Sequence, residues 1–172
     1  MTPSLPDRPA LFLDFDGTLV EIAPTPDSIV VPPELPALLE RAADALDGAL
    51  AIVSGRTIAD IDRWLAPARL PAAGQHGLER RLLVDGPIEY AEPLPEIAEI
   101  RARLEEQGLF GDGVMLEDKG LGFAVHYRAA PERGEAVRTA VDRAAADHPA
   151  VQVIHGKMVA EAKRRGVDKG TA

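Results

Sequence analysis

The sequence predicts an α/β protein: a Rossmann-like core with a parallel sheet, into which a second α+β unit is inserted. Two observations support this fold class. Residues 1–78 alternate continuous apolar strands with amphipathic helices, which is typical of a parallel sheet covered on both faces. Residues 79–163 change to short strands that pair locally around two helices, and residues 164–172 begin the return to the core.

Hydrophobic periodicity predicts the elements of the first unit. Continuous apolar runs indicate buried strands over residues 10–15 and 49–55. Between them, leucine and alanine side chains recur at helical spacing within residues 33–48. A second helix is predicted over residues 57–65 and begins at Thr57, because threonine is a favourable N-cap residue. This order of strand, helix, strand and helix favours a parallel sheet.

The second unit has a different pattern of predicted secondary structure. Two short strands around an Asp-Gly turn are predicted within residues 79–92, and a hairpin within residues 113–128. Amphipathic helices are predicted within residues 95–108 and 131–149, and two further strands within residues 150–163. Locally paired strands separated by two helices predict an α+β layer that folds as a cap domain.

Composition excludes several classes of partner. The 172 residues carry a net charge of −9 and include no cysteine. This acidic balance disfavours nucleic acid and anionic membranes as partners. The lack of cysteine excludes disulfides and fits a reducing compartment, and no apolar run reaches the roughly 18 residues of a membrane span. We expect a cytoplasmic protein that binds neither nucleic acid nor membranes, and composition leaves the oligomeric state open.

Two aspartates follow the first apolar strand. Asp14 and Asp16 lie two residues apart, so strand alternation would place both carboxylates on one side, where their charges repel. A Mg²⁺ ion held by these oxygens would offset the repulsion. Asp14, ionised at neutral pH, can then attack phosphorus, while Asp16 can protonate the leaving oxygen and later deprotonate water. The alternative is a simple turn that ends the strand, because aspartate also favours such positions.

Small and hydroxyl-bearing residues near the same strand ends suggest phosphate binding. Gly17 would let backbone N–H groups approach a phosphate closely, and Thr18 adds a hydroxyl donor. Ser54 ends the second apolar strand, where open parallel sheets bind ligands, although a serine there can also cap the following helix. Arg56 is interpreted as a structural or rim residue.

Three segments in this order resemble the haloacid dehalogenase (HAD) superfamily of phosphatases. They are DFDGT at residues 14–18, IVSGR at residues 52–56 and VDKG at residues 167–170. The resemblance implies a Mg²⁺-dependent phosphomonoester hydrolase in which Asp14 is the nucleophile and Asp16 the general acid and base. It further implies that both aspartates contribute to the metal site and that phosphate is bound by Gly17, Thr18, Ser54, Gly55 and Lys169.

A closer resemblance covers the insert. Residues 74–79, 117–128 and 155–163 are similar to segments of trehalose-6-phosphate phosphatases, which convert trehalose 6-phosphate to trehalose. The resemblance implies that the sugar is held by Glu117, Lys119, Arg128, Lys157 and Glu161, and that Gln75, His76 and Gly77 either contact the substrate or shape the hinge.

Strand alternation is compatible with these sugar-binding roles. It places Glu117 with Lys119 on one strand face, and Lys157 with Glu161 on one face of a later strand. Mixed donors and acceptors suit an uncharged, polyhydroxylated ligand. A solvated sheet face with cross-strand ion pairs is the alternative interpretation of the same charges.

Other functions also fit the pattern. A different HAD sugar-phosphate phosphatase, for example of the sucrose-phosphate type, or a phosphomutase relative would share most of these residues. The family also has an acidic motif after the lysine that completes the Mg²⁺ site, whereas this sequence ends at Ala172. We therefore expect a core that is incomplete at the C-terminus, and a non-catalytic sugar-phosphate-binding module is a further alternative.

Overall fold

The computed structural model describes residues 7–172, and the chain divides into two compact units. The core unit contains the described residues up to Tyr90 together with Asp168–Ala172. The inserted unit is Ala91–Val167. The predicted boundaries at residues 79 and 163 differ from these because the strands of residues 79–90 pair with the core sheet. The first six residues of the predicted core lie outside the described part of the chain.

The core unit contains a five-stranded sheet. Its strands are β1 (Leu11–Leu13), β2 (Leu50–Val53), β3 (Ala72–Gly74), β4 (Glu79–Arg81) and β5 (Glu89–Tyr90), in that spatial order. The pairs β1–β2 and β2–β3 are parallel, as predicted, whereas β3–β4 and β4–β5 are antiparallel. The chain therefore reverses at residues 75–77 and extends the sheet before it enters the inserted unit.

Two helices cover one face of this sheet. Helix α1 (Leu35–Ala45) and helix α2 (Ile58–Leu65) bury Leu39, Ile52 and Ile61 between themselves and the strands. Alternation turns Phe12 to the other face, where its side chain is 69% exposed. Among the described residues, the two helices thus cover the sheet on one face, whereas the sequence predicts cover on both.

The inserted unit has the predicted α+β architecture. Its elements are α3 (Pro95–Glu106), β6 (Met115–Asp118), β7 (Phe123–His126), α4 (Gly134–Ala145), β8 (Val151–Gly156) and β9 (Val159–Arg164). All pairs in its sheet are antiparallel, in the order β6-β7-β9-β8. Leu104, Val125 and Val141 are fully buried between the helices and one sheet face, so polar side chains that alternate with this core face lie on the opposite side.

Within residues 7–172, every helix is too short or too polar to cross a membrane.

Candidate active site

Asp14 lies directly after β1 and contacts a residue from the far end of the chain. Its Oδ1 accepts the backbone N–H of Phe15 at 2.8 Å and lies 2.7 Å from Lys169 Nζ. Lys169 is held by a turn in which the Asp168 carboxylate accepts the N–H groups of Gly170 and Thr171. Residues 167–172 form only this single turn. The predicted nucleophile and the predicted phosphate-binding lysine are therefore neighbours.

Asp14 and Lys169 also line a cleft of about 570 Å³ on the open face of the core sheet. Phe12, Val53 and Leu82 contribute apolar walls to the same cleft. A mostly apolar cleft that includes a few charged groups is typical of small-molecule sites.

Asp16 is held by Arg56. The Arg56 Nε and Nη2 atoms each donate to a different Asp16 oxygen, both at 2.8 Å, which is the bidentate geometry of a strong ion pair. Nη1 of Arg56 donates to the Pro26 carbonyl at 3.0 Å, and the guanidinium lies 5.6 Å from the centre of the Phe15 ring. The sequence interpretation of Arg56 as a structural or rim residue misses this contact with the candidate general acid and base.

Gly17 has a conformational role in the loop after the two aspartates. Its φ of +83° is in the left-handed region, which glycine adopts without strain. Its N–H donates to the Val20 carbonyl at 2.8 Å, and the Phe15 carbonyl accepts the N–H groups of Thr18, Leu19 and Val20. In this geometry the Gly17 amide is committed inside the loop, contrary to the expectation that it faces a phosphate.

Ser54 and Gly55 form the loop after β2. The Ser54 hydroxyl accepts the Arg56 N–H at 3.1 Å, which leaves the hydroxyl proton as its own donor. A Cβ at Gly55 would lie 2.7 Å from His76 Nε2, so the imidazole packs directly on this glycine. The alternative role of Ser54 as a helix cap is wrong, because the Thr57 hydroxyl accepts the Asp60 N–H and caps α2.

Residues 75–77 run in an unusual backbone conformation beside this loop. Gln75, His76 and Gly77 have φ values of 48°, 58° and 106°. The N–H groups of Gln75 and His76 donate to the carbonyls of Arg56 and Ser54 at 2.8 and 2.9 Å. Consecutive residues in the left-handed region cost free energy, and these two backbone hydrogen bonds to the loop after β2 stabilise that conformation.

Gln75 is part of a buried network. Its side chain is 3% exposed, and its Nε2 donates to Glu79 Oε1 at 2.5 Å. Glu79 Oε2 in turn accepts the N–H of Ile58, the first residue of α2, at 2.7 Å. Of the two roles predicted for Gln75, shaping the loop fits this burial. Direct contact of its side chain with substrate does not.

Three of the candidate sugar-binding residues form two pairs on one face of the inserted sheet, together with His126, which the sequence analysis does not single out. We call Glu117, Lys119, His126 and Glu161 the polar face. His126 Nε2 lies 2.6 Å from Glu117 Oε2, and Lys119 Nζ donates to Glu161 Oε1 at 2.5 Å. The strand register places Ala124 between Glu117 and Glu161, so the small alanine side chain separates the two acids.

The pKa of the Glu117 carboxyl is set by its neighbours on this face. Burial raises its pKa, but the hydrogen bond with His126 and the charge of Lys119 outweigh burial. The net effect is a pKa below the ordinary value of glutamate. Glu117 is therefore a carboxylate, an acceptor suited to sugar hydroxyl groups.

Arg128 and Lys157 lie at the end of this sheet. Arg128 follows β7, and its Nη2 donates to the Lys157 carbonyl at 3.2 Å. Lys157 is exposed in the turn between β8 and β9, where Met158 has a φ of 63°. The prediction that Lys157 and Glu161 share one face of a strand is wrong, because Lys157 precedes the strand that carries Glu161.

Within residues 7–172, no group of three or more histidine, cysteine, aspartate or glutamate side chains is arranged to hold a metal ion. The oxygen donors at the predicted metal site are those of Asp14 and Asp16.

Comparison with known proteins relates the chain to phosphatases. A family model described as trehalose-phosphatase matches residues 12–172. The chain is 43% identical over 170 residues to a probable trehalose-phosphate phosphatase of Sinorhizobium fredii, covering 96% of this chain and 63% of the relative. It is 41% identical over 172 residues to the trehalose-6-phosphate phosphatase of Escherichia coli, covering 99% of this chain and 64% of the relative. The chain thus spans somewhat less than two thirds of the length of these relatives.

Solved structures share the fold. The C-terminal domain of Candida albicans trehalose-6-phosphate phosphatase aligns with a TM-score of 0.82 at 22% identity, over 95% of this chain and 60% of that one. A Bacteroides thetaiotaomicron phosphatase of the HAD superfamily aligns with a TM-score of 0.57 at 16% identity, over 99% and 74% of the two chains. These alignments confirm the predicted α/β fold. With the family match over nearly the whole chain, they lead to one conclusion: the chain belongs to the trehalose-phosphatase family.

Proposed function

We propose that the protein containing this chain hydrolyses trehalose 6-phosphate to trehalose and inorganic phosphate. The observation that carries the proposal is the 2.7 Å contact between Asp14 Oδ1 and Lys169 Nζ, which joins a nucleophile to a phosphate-binding cation within a chain of this family. The S. fredii and E. coli relatives are named for activity on trehalose phosphate. Cytoplasmic location remains a prediction from the sequence.

The chemistry proceeds in two displacements at phosphorus. An Asp14 oxygen attacks, the bond between phosphorus and the sugar oxygen breaks, and Asp16 in its protonated form gives its proton to the leaving oxygen. Water then attacks the aspartyl-phosphate, the bond from phosphorus to Asp14 breaks, and the Asp16 carboxylate takes the proton from water. The Lys169 ammonium offsets the charge of the phosphate, and the hydroxyl groups of Thr18 and Ser54 donate hydrogen bonds to its oxygens.

Magnesium is the cofactor that we propose for this site. The Asp14 carboxylate and the oxygens of Asp16 are hard donors of the kind that Mg²⁺ prefers. The Asp16 carboxylate is bound by Arg56 on both oxygens, so its main-chain oxygen is the donor that fits this arrangement. When bound, the ion would reduce the repulsion between the phosphate and the attacking carboxylate.

The polar face of the inserted unit supplies the sugar recognition in this proposal. Glu117 and Glu161 accept hydrogen bonds from sugar hydroxyl groups, and Lys119 donates to hydroxyl oxygens. Arg128, Lys157 and His76 are further proposed contacts, and Gly77 permits the backbone turn beside His76. Because donors and acceptors are mixed, the face suits a neutral disaccharide better than a second phosphate.

The test compares two substrates, trehalose 6-phosphate and p-nitrophenyl phosphate. Asp14→Asn removes the anionic nucleophile with little change in shape, so turnover of both substrates should fall to background. Glu161→Ala should lower kcat/KM for trehalose 6-phosphate by about 10- to 100-fold, the value of one or two charged hydrogen bonds, with little effect on the aryl phosphate. The exposed Asp85→Asn and Glu99→Ala variants are matched controls.

Each alternative function predicts a different result. Substantial turnover in Asp14→Asn would contradict the covalent route. Faster turnover of sucrose 6-phosphate than of trehalose 6-phosphate would indicate another sugar-phosphate phosphatase. Binding of trehalose 6-phosphate by the wild-type protein without any turnover of either substrate, in the presence of Mg²⁺, would indicate a binding module.

A further inference from the structure

We infer that Arg56 is the positioning residue for Asp16, and that it supports the step in which water hydrolyses the aspartyl-phosphate. The inference rests on the proposed function, because it assigns a partner to the general acid and base of that reaction. It begins from the two 2.8 Å hydrogen bonds that join the guanidinium to both Asp16 oxygens.

The two partners differ in accessibility. The Arg56 side chain is 10% exposed, whereas the Asp16 side chain is 36% exposed. Exposed ion pairs contribute little, but a bidentate pair with one buried partner is geometrically constrained. Arg56 is therefore the fixed member of the pair, and Asp16 is the member that a substrate can reach.

Several contacts hold Arg56 in place independently of Asp16. Its guanidinium lies over the Phe15 ring and donates to the Pro26 carbonyl. Its backbone N–H donates to the Ser54 hydroxyl, and its carbonyl accepts the Gln75 N–H. Arg56 thus links the loop after β1 to the loop after β2, so the orientation of Asp16 is tied to that of the phosphate-binding serine.

The geometry favours one of the two roles of Asp16. A carboxylate that accepts a guanidinium fork keeps lone pairs on both oxygens, and these can accept a proton from water. The fork holds the carboxylate in one plane, so its remaining lone pairs have a fixed direction when it takes the proton of the water that attacks phosphorus and the bond to Asp14 breaks. Arg56 acts on this step through Asp16, because its donors are directed at Asp16 and Pro26.

The experiment measures the two half-reactions separately. With p-nitrophenyl phosphate the leaving group needs little protonation, so formation of the aspartyl-phosphate continues when Asp16 is impaired. In Arg56→Gln we expect hydrolysis of the intermediate to slow by about 10- to 100-fold. The observable results are a burst of p-nitrophenolate and a phosphorylated protein in acid-quenched samples analysed by mass spectrometry.

Matched variants separate positioning from folding. Arg63→Gln removes the same charge from an arginine on α2 that pairs with Asp27 and Asp60 and whose side chain is 55% exposed, and it should behave as wild type. Arg56→Lys retains the charge without the fork and should recover part of the lost rate. If Arg56→Gln does not fold, Arg56→Lys alone must still show slower hydrolysis and a larger burst than wild type.

The Asp16→Asn variant distinguishes failure of this inference from failure of the proposed function. Accumulation of the phosphorylated protein in both Asp16→Asn and Arg56→Gln would support the inference. Accumulation in Asp16→Asn but not in a folded Arg56→Gln would overturn it and leave the proposed function intact. If phosphorylated protein is still detected when Asp14 is replaced by asparagine, the covalent route through Asp14 is wrong, and the inference is wrong as well.

Discussion

Replacement of the buried Glu79 should destabilise the core-unit loops for which we propose phosphate binding. Glu79 is 6% exposed, and its two oxygens accept the Ile58 N–H at 2.7 Å and the Gln75 Nε2–H at 2.5 Å. Glu79→Ala removes both acceptors, and the donors stay buried because α2 and residues 75–77 pack around them. The change therefore acts on α2 and on the segment that contains His76.

The size of the effect follows from the two hydrogen bonds. A buried donor left without a partner costs about 1–3 kcal/mol, so Glu79→Ala should lower the free energy of unfolding by about 2–6 kcal/mol. Glu79→Gln should cost only about 1–2 kcal/mol, the difference between charged and neutral hydrogen bonds. The glutamine can bond to both partners if the Gln75 amide turns over, since Gln75 Oε1 is buried without a hydrogen-bond partner in the described part of the chain.

Urea unfolding measures this difference directly. Trp64 is the only tryptophan in the sequence and lies on α2, so its fluorescence reports on the affected element. The exposed Glu89→Ala on β5 is the control and should change stability by less than about 0.5 kcal/mol. Equal losses in the alanine and glutamine variants of Glu79 would refute the reasoning, because they would show that the unpaired donors find other partners.

Two further predictions concern pH and the C-terminal turn. Because the His126 hydrogen bond and the Lys119 charge outweigh burial and lower the pKa of Glu117, its stabilising contribution is present at neutral pH and is lost as pH falls through that lowered pKa. In His126→Gln this loss of stability should begin at a higher pH when unfolding is followed during acid titration. Identical acid-unfolding curves for the variant and the wild type would contradict the prediction. At Gly77, φ is +106° and a Cβ would lie 3.0 Å from an atom of the C-terminal turn. Gly77→Ala should therefore lower both the free energy of unfolding and the affinity for inorganic phosphate, measured by calorimetry. Gly108→Ala, with φ of +65° and open space around the Cβ, should lose stability alone, and equal phosphate affinities would count against the prediction.

Local pattern predicted the secondary structure well, and long-range pairing accounts for the main difference. The predicted helix start at Thr57 is confirmed by its side-chain hydrogen bond with the Asp60 N–H. The short strands within residues 79–92 are also present, but they extend the core sheet through pairing of β4 with β3. Periodicity predicts that a strand exists but does not predict the strand with which it pairs. The sequence pattern therefore assigned these strands to the inserted unit, whereas they belong to the core sheet.

The sequence predicts the position of site residues that directly follow a strand. It is less informative where a long side chain in a loop reaches its partner. Asp14 and Ser54 follow neighbouring parallel strands, so their common edge follows from topology. No comparable signal identifies Arg56 as the partner of Asp16, because the direction of a long side chain in a loop has no period. The turn position of Lys157 was missed because strand alternation was extended across two residues of a hairpin turn.

The pairing on the polar face has a consequence for specificity. Without ligand, Glu117 already contacts His126, and Glu161 already accepts from Lys119, while Ala124 keeps the two acids apart. A ligand that binds here must therefore replace these hydrogen bonds. When it separates a carboxylate from its His126 or Lys119 partner, only a group that both donates and accepts hydrogen bonds can satisfy both side chains. Sugar hydroxyl groups have this property. A second phosphate would satisfy the bases but would leave each carboxylate facing a like charge. In the function that we propose, the arrangement that stabilises the face without ligand would therefore favour neutral polyols, and recognition of the single phosphate would belong to the core unit.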